Sequence, residues 1–277
     1  MHKQKKIVKL IKTAVVLLIA VAFILPLAWM VTSSLKQTRE VFSPNWQWLP
    51  ETFQWKNYVM VWTDPEVSML QAFYNTAFIT VVSTVAQLII ASLAAYAFAK
   101  IRFKGKGIVF GMFLCTMMMP TEVTIVPRFM LFKTVGLYNN LWSVILPHFF
   151  SASAIFMLRQ FYMGLPDDLM EAAKIDGAGH PQIFVQIMMP LTKSALISLA
   201  MLSFISCWNE YMSPLIFLAK KNLYTISQVI RWYMLDDLQR YDLNMAAATS
   251  AIVPILFLFI FCQKYFVEGI ATSGVKG

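Results

Sequence analysis

Few side chains in this sequence are of types that do chemistry, and their spacing suits chemistry poorly. The histidines stand at His2, His148 and His180, too scattered for a metal site, and no H-E-x-x-H occurs. Cys115, Cys207 and Cys262 are far apart, each inside an apolar stretch, and no C-x-x-C is present. No G-x-S-x-G marks a nucleophile at a strand-to-helix turn. No G-x-x-x-x-G-K-[ST] offers backbone N–H groups to phosphates, so any ATP chemistry must come from a partner. Two carboxylates stand out by context. Glu210 lies in Cys207-Trp208-Asn209-Glu210-Tyr211, inside an apolar run. At mid-bilayer an ionised carboxylate costs about 2.5–3.5 kcal/mol, so it must face a bundle interior, a partner, a wet path or an interface. Asn209 and Glu210 are candidates for a pathway or gate. The competing reading is a hydrogen bond that only holds helices together. Glu122 follows Pro120 and Thr121 and suits the first turn of a restarted helix.

The other candidate is the string from Gly164 to Lys193. Pro166 suits a first helical turn, and Asp167, Asp168 and Glu171 complement the dipole there. Leu169, Met170, Ala172, Ala173 and Ile175 continue a short helix with a small-residue face. Asp176, Gly177, Ala178 and Gly179 end it. His180-Pro181 begins a second helix that carries Ile183, Phe184, Ile187 and Met188, and Pro190 is expected to end that one. Small residues beside acids permit close approach of another protein. A re-packed internal linker has the same composition.

These residues must be positioned by membrane helices. Of the 277 residues 58% are hydrophobic and 13% charged, against about 45–50% apolar and 25% charged in soluble domains. Six stretches approach the ~20 apolar residues of a span: 13–31, 72–99, 107–132, 141–163, 194–219 and 243–263. The third is interrupted by Pro120, Glu122, Pro127 and Arg128, and the fifth is charged only at Glu210. With the N-terminus inside, the inner segments hold 14 of the 23 Lys and Arg but 5 of the 14 acids. The net charge of +9 therefore reads as topology and not as nucleic-acid binding. Lys100, Arg102, Lys104 and Lys106 are the densest inner cluster. The apolar run after the basic residues 1–12 exceeds the ~7–15 residues of a secretory signal, and no A-x-A follows, so an uncleaved helix is expected. Residues 32–71 form an outer segment whose Trp46, Trp48, Trp55, Tyr58 and Trp62 suit the interface. Glu210 lies 17 residues past Lys193, roughly 25 Å along a helix, near the outer leaflet.

The string E-A-A-x-x-D-G-A at Glu171, Ala172, Ala173, Asp176, Gly177 and Ala178, with Pro190 further on, resembles the EAA loop of ABC-importer permeases. Asn75-Thr76, Ile125-Val126-Pro127, Leu158-Arg159-Gln160-Phe161, Trp208-Asn209-Glu210 and the ending from Gln263 to Gly269 and Val275 to Gly277 are similar to the carbohydrate-uptake branch, of maltose-transporter type. Ser194 departs from the pattern, standing where a proline usually follows the Pro-Leu pair, which predicts a softer start to the fifth span. The resemblance implies an all-α fold of six transmembrane helices, a type I importer transmembrane domain with both termini cytoplasmic. Its permease core would cover 72–267, with a coupling loop at 164–193 and a tail at 268–277. It implies a subunit of the cytoplasmic membrane that imports sugar or oligosaccharide without an ATPase site of its own, with ATP and Mg on a partner. The implied partners are an ATP-binding cassette ATPase dimer, a second and usually non-identical permease, an extracytoplasmic sugar-binding protein and the bilayer. Glu171 would meet a basic residue of the ATPase, Ala172 and Ala173 would allow close packing, and Gly177 would hold the turn. Tyr224, Arg231, Trp232, Tyr233 and Asp236 would be available to the binding protein.

Two alternatives stay open. Glycerol phosphate or polyols are substrates within the same branch. An ATPase-independent carrier or channel would show an inverted repeat. None is evident, and the acidic loop has no counterpart between the second and third spans.

Overall fold

The computed structural model describes residues 2–45, 47–235 and 239–274. Trp46, Asp236 and Val275 to Gly277 therefore lie outside the described residues, as do the side chains from Tyr265 onward. The described residues are helices joined by turns. Four helical stretches are long and apolar enough to cross a membrane, and six if each of two bent pairs counts as one span.

The chain divides into two compact units, 1–70 with 228–253, and 71–227 with 254–277. The first unit begins with α1 (His2–Ser33), which extends the expected span back through the basic N-terminus. Pro26 lies inside it, which a membrane helix tolerates when neighbours or local adjustment satisfy the freed carbonyl. Its apolar side chains, Leu18 and Phe23 among them, are exposed. After it come α2 (Thr38–Val41) and α3 (Lys56–Thr63). The segment after α1 is folded back on it. Buried Asn57 donates to the carbonyls of Ser34 and Lys36, both at 3.0 Å, closing the segment on the end of α1. The first half of α15 (Tyr241–Gly274) completes the unit. Asp242 accepts from Thr38 Oγ1 at 2.7 Å, and Trp62 Nε1 donates to Ser250 at 3.2 Å.

The second unit is built on α4 (Met69–Lys100), which carries the second span. The third span is broken. α5 (Lys106–Thr116) and α6 (Thr121–Thr134) meet at 93°. Pro120 has extended backbone at the N-cap of α6, and the residue before a proline avoids helical geometry, so the first helix must stop. α7 (Trp142–His148) and α8 (Ala152–Met163) form the fourth span, with Ser151 Oγ capping the N–H of Ala154 at 3.3 Å. Then come α9 (Asp168–Ile175), α10 (His180–Ile183) with a π turn at Phe184–Met188, and α11 (Met189–Leu191).

Pro190 does not end the second loop helix. The wider π turn just before it accommodates a residue that cannot donate to the carbonyl four back, and helical backbone continues to Leu191. The chain then bends by 79° into α12 (Lys193–Trp208). Ser194 sits in the first turn of α12 and accepts from Ser198 Oγ at 2.9 Å. The start of that helix is thus a sharp bend at Thr192 rather than a softened one.

The fifth span also ends early. α12 stops at Trp208, and α13 (Met212–Phe217) resumes after three residues. Pro214 in the first turn of α13 cannot bond the carbonyl of Glu210. That carbonyl accepts from Ser227 Oγ at 2.7 Å instead. A short 3-10 turn at Lys221–Leu223 and α14 (Ile226–Leu235) lead on to α15.

The main core joins α4, α8, α12 and the loop between them. Ala91 and Ala95 from α4, Ala154 from α8 and Ala195 from α12 are all nearly inaccessible. Small residues at such positions let helix backbones approach closely in a membrane, where packing rather than water drives association. Leu158, Tyr162, Met170, Ile183 and Met188 fill the space at one end.

Candidate functional site

The loop region is shaped by its own turn chemistry. Gly177 has φ +84°, left-handed backbone that residues with a Cβ rarely adopt. Ala178 N donates to Ala173 O at 2.9 Å and Gly177 N to Lys174 O at 3.0 Å. These two bonds make a Schellman motif that closes the last turn of α9. Gly179 N then donates to Gln182 Oε1 at 3.0 Å and starts α10. The two faces of α9 differ. Met170 and Ala173 are buried against the core. Leu169, Glu171, Ala172 and Ile175 are exposed, Ile175 at 86%. Of the two alanines, Ala173 is a packing residue and Ala172 is exposed. Asp176 and Pro190 are exposed and Ala178 is half-buried.

The loop is tied to the end of α4. Lys100, the last residue of α4, donates to Leu165 O at 2.7 Å and to Asp167 Oδ1 at 2.5 Å. This bond, and then the ammonium charge, holds the Asp167 carboxyl below its ordinary range. Tyr96, one turn earlier, places its hydroxyl 2.9 Å from His180 Nδ1. Its ring stands edge-on to Tyr162 and tilted against Phe184. Arg159 donates to Phe98 O at 3.1 Å and covers the Phe110 ring at 4.1 Å. Lys106 donates to the carbonyls of Ala99 and Ile101. Basic groups thus satisfy several of the last carbonyls of α4, where the dipole favours them.

A cavity of about 820 Å³ opens within the second unit, between α4, α6, α7, α8, α12 and α13. Glu122, Arg128, His148 and Glu210 line it together, with Gln87 and hydroxyls such as Thr124, Ser151, Ser203 and Ser206. Glu210 Oε1 accepts the N–H of Ser213 at 2.9 Å, closing the first turn of α13. This carboxylate therefore both caps the resumed helix and faces the cavity. Asn209 is exposed and folds back to Ile205 O at 2.9 Å. Glu122 Oε1 accepts from the hydroxyl of Thr121 at 3.4 Å. Sequence reasoning did not find Arg128 or His148 as cavity residues. The available signal was the set of prolines at 120, 127, 147 and 214, beside which Glu122, Arg128, His148 and Ser213 line the cavity. Among the described residues no three His, Cys, Asp or Glu side chains gather in a metal-sized cluster.

The residues expected at an outer contact are divided. Tyr224, in the second unit, accepts at its carbonyl from Asn75 at 3.0 Å. Arg231 and Trp232, in the first, are half-buried. Tyr233 is buried and donates to Asp64 Oδ2 at 3.2 Å. Burial, then the Asp64 charge, pushes its hydroxyl well up, so it stays a donor at neutral pH. Asp236 lies outside the described residues.

The model of the family "Binding-protein-dependent transport system inner membrane component" matches residues 87–272. The arabinooligosaccharides transport system permease protein AraQ of Halalkalibacterium halodurans is 35% identical, over 82% of this chain and 81% of that protein. The sn-glycerol-3-phosphate transport system permease protein UgpE of Pectobacterium atrosepticum is 32% identical, over 85% of this chain and 86% of that one. A chain in the crystal structure of a bacterial ABC transporter involved in import of the acidic polysaccharide alginate superposes with TM-score 0.83 at 23% identity. It covers 94% of this chain and 97% of the other, a likeness of fold.

Proposed function

Since the chain belongs to the family of binding-protein-dependent transport system inner membrane components, we propose that it is the pore-forming permease of an ABC importer that carries a sugar or oligosaccharide inward, driven by ATP bound with Mg on a separate ATPase dimer. The carrying observation is the exposed face of α9, where Glu171, Ala172 and Ile175 stand open on a helix whose other side is built into the core. Such a face suits a groove on a partner. Glu171 meets a basic group there, Ala172 admits close contact, and Gly177 sets the angle at which the helix is presented. The Lys and Arg distribution supports a cytoplasmic position for this loop and for both termini.

The cavity is this chain's half of the pathway, facing a second and usually non-identical permease. Its two carboxylates, one guanidinium, one imidazole and several hydroxyls suit a neutral polyhydroxylated solute better than an anion, because the formal charge of the wall is not positive. Arg231 and Trp232 serve the binding protein outside, supported from within by Tyr233.

Inverted membrane vesicles carrying the native complex, filled with radiolabelled arabino-oligosaccharide or sn-glycerol 3-phosphate together with the binding protein, test this. Release of the sugar that requires external MgATP is expected. Release after the ATPase has been stripped overturns the reading in favour of a self-sufficient carrier. Release of the phosphate alone moves the substrate to the polyol-phosphate class.

A further inference from the structure

The segments on either side of α9 are fastened to one helix, and that helix reaches the cavity. We infer that Tyr96 and Lys100 are positioning residues that transmit movement of the coupling loop along α4 to the cavity wall at Gln87. The inference rests on the proposed function, since it needs a moving ATPase below the loop.

Lys100 grips the entry to the loop, through the Leu165 carbonyl and the Asp167 carboxylate. Tyr96 grips the segment beyond Gly177, through His180 Nδ1 and the Phe184 ring. The exposed helix α9 lies between the two grips. A partner that displaces α9 therefore pulls on α4 from both sides of the displaced segment. The Lys100 side chain is 5% exposed although Asp167 is 75% exposed, so the ammonium is held in place and the carboxylate comes to it. Tyr96 is 4% exposed. In each grip the side chain on α4 is buried, while its partner on the loop, Asp167 or His180, is exposed.

Gln87 lines the cavity nine residues before Tyr96, roughly 13 Å along the helix. Between them Ala91 and Ala95 pack against α8 and α12 with almost no exposed area. A closely packed helix shifts as a body and does not bend to absorb a displacement. In this way a motion at the loop reaches the wall of the pathway. The contacts join residues 67 and 84 positions apart, and neither Tyr96 nor Lys100 touches the cavity or the outer face of α9.

The test uses the complex isolated through the tagged chain and placed in lipid nanodiscs. Cys115, Cys207 and Cys262 are changed to serine and Gln87→Cys is the reporter. The probe is a charged methanethiosulfonate, and its labelling rate is read with and without MgATP and vanadate. With the latch intact, trapping is expected to change the rate at position 87. In Tyr96→Phe, which removes one oxygen and keeps the ring, and in Lys100→Met, that change is expected to shrink roughly 2- to 30-fold, while the ATPase stays bound and hydrolyses ATP. Lys100→Arg is expected to restore it.

Full response in both variants overturns the inference and leaves the function standing. So does an intact complex that hydrolyses ATP without any change at position 87. Loss of the ATPase from Tyr96→Phe as well as Lys100→Met assigns both residues a merely structural role, which also overturns it. If the unaltered chain brings down no ATPase, it is the proposed function that fails, and the inference falls with it.

Discussion

A ladder of substitutions at Gly177 separates backbone conformation from every other property of the loop. A Cβ built at this position meets nothing within 4 Å, so added bulk has no steric consequence and the φ of +84° alone decides the outcome. Alanine in left-handed backbone costs about 1–2 kcal/mol. That raises the population of a mis-set turn by roughly 5- to 30-fold. Asparagine tolerates the region better, and Asn139 already holds φ 57° in this chain. Proline fixes φ near −65° and removes the N–H that bonds Lys174 O, costing ~3 kcal/mol or more. The expected order of ATPase retained on the purified chain is therefore Gly, then Asn, then Ala, then Pro, with transport falling in the same order. Insertion into the membrane should be equal for all four. Gly177→Ala ranking above Gly177→Asn, or Gly177→Pro matching wild type, would refute the argument from the turn.

Other outcomes follow from single contacts. The two alanines should respond oppositely to enlargement. Ala173→Leu overpacks the core and lowers stability by about 1–3 kcal/mol, read as earlier thermal unfolding in detergent. Ala172→Leu leaves unfolding within about 0.5 kcal/mol and weakens ATPase binding. Glu210→Ala removes the cap on α13 and costs about 0.5–2 kcal/mol, while Glu210→Gln keeps an acceptor and folds as wild type. If Glu210→Gln still transports normally, the carboxylate's charge has no part in the pathway. The Lys100–Asp167 contact has a definite pH dependence. Its lowered carboxyl pKa means that the contact is fully present at neutral pH and is lost only as pH falls through the depressed value. Hydrogen exchange of residues 165–170, corrected for intrinsic rate, should be flat from about pH 8 to about pH 5. A step near pH 6 would contradict that assignment.

The short helix at 168–175 and its glycine turn could be read directly, because acids in a first turn and a left-handed glycine after a last turn act within a few residues. The third span's break could be read too, since Pro120 acts on the backbone just before it, whereas α6 continues through Pro127. The fifth span's break was harder. Its cause is Pro214, four residues past Glu210, together with a hydroxyl from Ser227 that local sequence does not place there. The basic cluster at 100–106 read as a topological signal, and charge count alone could say no more. In the fold two of its members have separate work, Lys100 on the loop and Lys106 on the carbonyls ending α4. Of the cavity, only Glu210 was legible, as a carboxylate that an apolar run cannot leave facing lipid. The cavity's ionisable residues come from four places in the chain, and helix rotation decides which of them face inward. Hydropathy does not encode rotation where a helix is apolar all round, as α4 and α12 are.

The most direct test of the account is a pull-down of the tagged chain from its native membranes, with subunit stoichiometry and ATPase activity measured for wild type and for Glu171→Lys. The account predicts that wild type brings down an ATPase pair and a second permease, with binding protein when sugar is present. Glu171→Lys should retain the permease and release the ATPase alone. A wild-type chain that purifies by itself and still transports would contradict it.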